Sequence, residues 1–269
     1  MTFSLCSMPS VLFHRQCNCF RCFAVATIRD VAESLTGVWT PVPSAAPGVR
    51  RICHGCPNPG FETCWSCASV TSQVNRPCDL VVPISLYEIP SQLHHILRHY
   101  KSGSYPRHEA DFGARVISLL AYFLMKHEEC ITNAAGGGWD VVTSVPSSRP
   151  RSGEHPLVTN VHRVRWLDDQ FETLLKLGTV EVGHLKASDY GFEPVRDVRG
   201  ERVLLVDDTF TTGATAQSAT SALTIAGATV TGIVAIGRVI KPEFSPTVKE
   251  YWDRQWGPRA FTFDKCCLE

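Results

Sequence analysis

With 26 basic and 26 acidic side chains in 269 residues, the chain has no formal net charge, which argues against a surface built to wrap a polyanion and against an acidic tail. A hydrophobic content of 44% is enough for one sizeable core or two small ones. No apolar run approaches the roughly 20 residues of a membrane span, and His14, Arg15 and Arg21 interrupt the mildly apolar first residues, so a cytoplasmic protein with no membrane partner is expected.

Residues 1–48 close on TPVPSAAPG, a linker composition, and show no clean period before it. They are read as a poorly ordered extension and linker, with Cys17, Cys19 and Cys22 a weak metal pattern. Residues 49–72 are different. Cys53-x-x-Cys56 and Cys64-x-x-Cys67 put four thiols within fifteen residues, and each C-x-x-C turn presents two sulfurs on one side. Six of the chain's twelve cysteines stand in C-x-x-C pairs, which favours metal in a reducing compartment over a disulfide framework. Four thiolates suit a tetrahedral Zn²⁺ at about 2.3 Å per sulfur, and a filled set is structural because no position stays open for substrate. The seven residues between the pairs are fewer than in the usual ribbon, which makes Cys78 the alternative fourth ligand.

From 73 to 241 strands and helices alternate. CDLVVPISLYEI reads as a strand, PSQLHHILRHYKSG as a helix with Pro90 near its first turn, and EADFGARVISLLAYFLMKH as a long amphipathic helix with Leu119, Tyr122 and Phe123 in the core. WDVVTSVP is a short buried strand, HRVRWLDDQFETLLKLG a helix, ERVLLVDD a strand, TGATAQSATSALTIAG a helix closed by Gly227, and ATVTGIVAIGRV a strand. This order predicts an α/β fold whose mostly parallel sheet is flanked by helices. Residues 242–269 are read as a tail whose aromatic residues, Trp252 and Trp256 among them, pack on the domain, with Cys266 and Cys267 as exposed or loosely packed thiols.

The stretch VLLVDDTFTTGAT, residues 203–215, carries the most specific chemistry. Asp207 and Asp208 end a buried strand, where open α/β sheets bind ligands. The helix starting near Gly213 offers its free N–H groups to an anion; Gly213 and Ala214 keep the backbone approachable, and Thr211, Thr212 and Thr215 add hydroxyls. A phosphate fits there, and the carboxylates then face something neutral or cationic attached to it, a ribose diol or Mg²⁺. Neither G-x-x-x-x-G-K-[ST] nor a strand-end G-x-G-x-x-G is present, which argues against a P-loop nucleotidase and a dinucleotide site.

VLLVDDTFTTGAT resembles the phosphoribosyl pyrophosphate (PRPP) signature of type I phosphoribosyltransferases. Together with the cysteine-rich segment, LVVPISLYEIPSQLHHILRHYKSG, DVVTSVPSSRPR and FEPVRDVRGERVLLVDD, it is similar to the ComF-like family, over roughly residues 50–240. The resemblance implies a type I phosphoribosyltransferase fold at 73–241 with a small zinc module, and Mg²⁺-dependent transfer of phosphoribosyl from PRPP to a nitrogenous acceptor. It also implies roles: Asp207 and Asp208 on the ribose diol, Thr211, Thr212, Gly213, Ala214 and Thr215 on the 5′-phosphate, and Ser147, Ser148 and Arg149 at the diphosphate with Lys101. The family's link to DNA uptake adds single-stranded DNA or the uptake machinery as partners, and a non-catalytic PRPP- or nucleotide-binding protein as the alternative. SGEHPLVTNVHRV and GHLKASDYGF depart from the family pattern at the flexible catalytic loop.

Overall fold

The computed structural model describes residues 20–42, 53, 55–57, 61–101, 106–150, 152–253 and 260–269. Cys17, Cys19 and Trp256 lie outside them. Runs such as VVPISLY and RVLLV have no polar face to turn to water, so they form strands covered on both sides. In chain order the elements are α1 (Phe20–Ser34), α2 (Trp65–Thr71), β1 (Val81–Tyr87), α3 (Gln92–His99), α4 (Pro106–Ala134), β2 (Val141–Ser144), α5 (Pro156–Val161), α6 (Arg165–Asp168), β3 (Leu175–Leu177), β4 (Phe192–Pro194), β5 (Arg202–Phe210), α7 (Ala214–Ile225), β6 (Thr229–Val239) and α8 (Pro246–Tyr251).

Four strands form a parallel sheet in the order β1-β6-β5-β2, and β3 and β4 form a separate antiparallel pair. Val82, Val234, Val206 and Ser144 stand in one row across the sheet, which fixes its register. Side chains alternate between its faces. Leu204, Val206, Val234 and Ile236 pack with Leu119, Leu120 and Phe123 of α4. Val203, Leu205, Ile233 and Ala235 pack with Ala216, Ala219 and Leu223 of α7 and with the cysteine module. Each fully buried Leu, Ile or Phe contributes about 1.5–3 kcal/mol, so these two layers dominate the favourable side of folding. Among the described residues no helix is long and apolar enough to cross a membrane.

Three expectations change. The helix predicted over HRVRWLDDQFETLLKLG shrinks to the four residues of α6. The backbone after it pairs with the free edge of β2, Val142 N–H donating to Gln170 O at 2.8 Å and Glu172 N–H to Val142 O at 2.9 Å, and the chain continues into β3. An unsatisfied strand edge outweighs weak helical periodicity. Second, residues 20–42 are not a poorly ordered extension: α1 packs on α4, Ile28, Ala32 and Trp39 are buried in its core, and Tyr122 Oη donates to Glu33 Oε1 at 2.8 Å. Third, Cys266 and Cys267 are buried, the latter completely. Phe261 and Phe263 explain this, because they pack edge to face at 4.9 Å, and Phe263 meets Tyr122 at 4.6 Å, drawing the tail onto α4. Trp252 lies against Leu86 and Ile240.

Candidate functional site

β5 is central in the sheet, so its carboxyl end opens between the loops that follow β5 and β2. There a pocket of about 280 Å³ is lined by Asp207, Thr209 and residues Thr211 to Thr215 from the β5–α7 turn, by Ser148 and Arg149 from the loop after β2, and by Glu181 to His184. Eight of the residues singled out in the sequence therefore meet in one cavity: Asp207, Thr211, Thr212, Gly213, Ala214, Thr215, Ser148 and Arg149. Ser147, Asp208 and Lys101 are not on its wall.

The two aspartates part company for a simple reason: both lie within the strand, and consecutive strand residues point to opposite faces. Asp207 turns to the pocket with Thr209, whose N–H donates to Asp207 Oδ1 at 3.3 Å. Asp208 turns inward, only 5% exposed. Its carboxylate accepts from Tyr100 Oη and from Lys101 Nζ, the latter at 2.5 Å, and His155 Nε2 stands 3.8 Å away. Lys101, expected at the diphosphate, is thus an ion-pair partner of Asp208.

The charges follow. Burial, and then the Asp208 charge, push Asp207 up to about 7. Burial works against ionised Asp208 too, but Lys101, His155 and Tyr100 outweigh it and hold its carboxyl below the ordinary range. The pair therefore keeps one firm negative charge below the strand and a second that titrates near neutrality at the pocket wall.

The turn is built for close approach. Gly213 has φ +86°, and a Cβ there would sit 2.5 Å from the Phe210 ring. Gly213→Ala is expected to cost about 1–3 kcal/mol through both terms; an unchanged urea midpoint would show that the turn tolerates a side chain. The first N–H groups of α7 have no partner within the helix, and Ala214 and Thr215 at that end line the pocket. The Thr212 hydroxyl donates to His184 O and accepts from Ala214 N–H at 3.4 Å, so it latches the loop of Glu181 to His184 onto the turn. That loop is pinned from outside as well. Gln73 Nε2 donates to Leu185 O at 3.0 Å, and Asp189 accepts from Asn75 N–H at 2.9 Å and from Ser221 Oγ at 2.5 Å.

Arg238 was not anticipated, although a lone charge inside the apolar run GIVAIGRVI is a signal. It is 4% exposed and joins two parts of the molecule. Nη1 donates to the carbonyls of Thr211, at 2.9 Å, and of Val239, while Nη2 reaches Cys56 Sγ and Nε reaches Cys56 O, both at 3.4 Å. Cys53, Cys56, Cys64 and Cys67 are all buried, with their sulfurs within 4.8 Å of one another. Cys56 and Cys64 Sγ are 3.6 Å apart, close to the roughly 3.8 Å between sulfurs of a tetrahedral zinc thiolate, and Cys64 N–H donates to Cys53 Sγ at 3.3 Å. This group could bind a structural zinc. Cys78 is not part of it; its thiol turns to Leu80 O at 3.4 Å. A larger cleft of about 490 Å³ lies at the amino ends of β2 and β5, and its Arg196 is already held by Glu172 at 2.6 Å and Glu201 at 2.5 Å.

Compared with protein-family models and with curated proteins, the chain matches none. Among solved structures it is similar to a purine phosphoribosyltransferase from Pyrococcus horikoshii Ot3, at 17% identity over 44% of this chain and 88% of that chain, with a TM-score of 0.24. So low a score leaves the pocket to be read from its own residues.

Proposed function

We propose that the pocket at the end of β5 binds PRPP with Mg²⁺ and that the protein transfers the phosphoribosyl group to a nitrogen nucleophile, on a type I phosphoribosyltransferase fold. The observation that carries this reading is the single cavity lined by Asp207, the Gly213 turn, and Ser148 with Arg149 from the neighbouring strand's loop. Those groups match the three parts of such a substrate. The backbone N–H groups of the turn and the Thr211 and Thr215 hydroxyls suit the 5′-phosphate. Asp207 suits the ribose hydroxyls, and Arg149 with Ser148 the diphosphate.

In the transfer the C1–oxygen bond to pyrophosphate breaks, the acceptor nitrogen bonds to C1, and its proton leaves to solvent. Positive charge spreads over C1 and the ring oxygen as the first bond loosens, as in glycoside hydrolysis. Asp207, ionised above about 7, puts negative charge beside that cation. Arg149 opposes the charge gathering on the departing diphosphate, and bound Mg²⁺ would neutralise more of it. Asp208 acts from below, fixing Tyr100 and Lys101 at the end of α3. The Cys53, Cys56, Cys64 and Cys67 set holds a Zn²⁺ that supports the wall from outside.

The test is calorimetric titration of the full chain with PRPP, with and without Mg²⁺, followed by pyrophosphate release against a panel of bases and amines. Mg²⁺-dependent binding with release is expected. Binding without release would replace the transferase with a sensor, and no binding would remove PRPP altogether.

A further inference from the structure

On the face of the sheet that α4 covers, opposite the one that packs on α7, lies a second cluster of metal-ligating side chains. His127 and Cys130 are one turn apart on α4, and Cys266 and Glu269 are three apart in the tail; one ligand atom from each lies within 4.8 Å of all the others. Two pairs of spacing three, one from each segment, converge on a single point.

The finer geometry sets the donors. His127 is 2% exposed, and its Nε2 is 3.1 Å from Phe263 O. A carbonyl only accepts, so Nε2 carries the hydrogen and Nδ1 keeps its lone pair, the arrangement in which a backbone carbonyl orients a metal-binding imidazole. Nδ1 is 3.7 Å from Cys130 Sγ, and Cys130 Sγ is 3.7 Å from Glu269 Oε1. Ligand atoms around a tetrahedral zinc lie about 3.3–3.8 Å apart. The other carboxylate oxygen, Oε2, accepts from Cys266 N–H at 2.9 Å, which aims Oε1 at the cluster. The long helix leaves helical geometry at His127, φ −123° and ψ 16°, and the flanking Lys126 and Glu128 are neither proline nor glycine, so the local sequence does not impose the kink.

We propose that His127 Nδ1, Cys130 Sγ, Cys266 Sγ and Glu269 Oε1 hold a second Zn²⁺, which clamps the tail onto α4. One nitrogen, two sulfurs and one oxygen suit zinc better than the hard cations Mg²⁺ and Ca²⁺, which prefer all-oxygen sites. The set fills four positions and leaves none for substrate, so the ion is structural. On binding, the two thiols release their protons to solvent. Nothing here depends on the phosphoribosyl reading.

Zinc analysis of the purified full chain is expected to give two ions per molecule, and Cys130→Ser/Cys266→Ser should lose one while keeping the other. Should that variant fail to fold, X-ray absorption at the zinc edge decides on the unaltered chain, with an average of about three sulfurs per ion when both sites are filled and about four when only the Cys53 to Cys67 set is. A single zinc with four sulfurs, no zinc at all, or a Cys130–Cys266 disulfide in unreduced protein would overturn the proposal. A single zinc with about two sulfurs would support this clamp and remove zinc from the other site.

Discussion

Replacing Asp207 with asparagine is expected to stabilise the ligand-free protein at pH 8 while abolishing the PRPP binding proposed above. In the folded chain its carboxyl is pushed up from 3.8 to about 7, first by burial and then by the Asp208 charge. Between those values the folded state holds a proton that the unfolded state has lost, so stability falls as pH rises through the window and levels off above about 7. Asparagine carries no charge at any pH and escapes that slope. The advantage of Asp207→Asn should grow from nearly nothing at pH 4 to about 1–3 kcal/mol at pH 8, after allowance for screening at a pocket wall. Asp208 has the opposite sign. Its depressed carboxyl adds stability above the ordinary carboxylate range and loses it only in acid, outside the same window. Urea denaturation of both proteins at pH 5 and pH 8 separates the two. Parallel pH dependences would mean that Asp207 titrates as an ordinary carboxyl.

Arg238→Met should be the most damaging single change, at about 3–5 kcal/mol, because it leaves buried acceptors without their donor. The guanidinium spans Cys56, Thr211 and Val239, and no apolar side chain satisfies those groups. Four thiolates also carry two more negative charges than one Zn²⁺ neutralises, and Arg238 Nη2 brings a cation to 3.4 Å from Cys56 Sγ. Arg238→Lys keeps the charge but cannot fork between a sulfur and three carbonyls, so it should recover little. The expected outcome is a lower urea midpoint, faster loss to a chelator of zinc loaded on the four cysteines, and weaker binding of the proposed PRPP ligand through the released Thr211 carbonyl. If the lysine variant matches wild type in all three, the fork geometry is irrelevant and charge alone suffices.

The sheet was legible because its strands are short apolar runs bounded by turn residues: β1, β2 and β6 lie within CDLVVPISLYEI, WDVVTSVP and ATVTGIVAIGRV, and β5 follows ERVLLVDD and runs on to Phe210. The β5–α7 turn was legible for the same reason, since glycine at a positive φ and small residues after an apolar strand leave few alternatives. What the pattern hid was the result of partners distant in sequence. The backbone at Gln170 and Glu172 turned from helix to sheet edge because β2 offers it hydrogen bonds. Ile28 and Ala32 of α1 have helical spacing and Leu35 and Trp39 follow just after the helix, yet so few apolar positions, one of them a small alanine, make a faint signal in a segment dominated by prolines further on. The division of labour between Asp207 and Asp208 was readable in principle, for two neighbours in a strand cannot share a face. Glu181 and His184 left no trace in the sequence, because contacts distant in the chain, the latch to Thr212 and the anchors at Gln73 and Asn75, bring them to the pocket.

The loop that carries Glu181 and His184 is held by Gln73 and Asn75, which belong to the segment leading from the cysteine module into β1. A chain cut to begin at β1 would retain its whole parallel sheet and the aspartates on it. It would nevertheless lose the anchors of the facing wall, and the cavity would open into a groove. For dissection of this protein, the smallest unit that keeps both sides of the pocket anchored must therefore start upstream of the first strand, before Gln73.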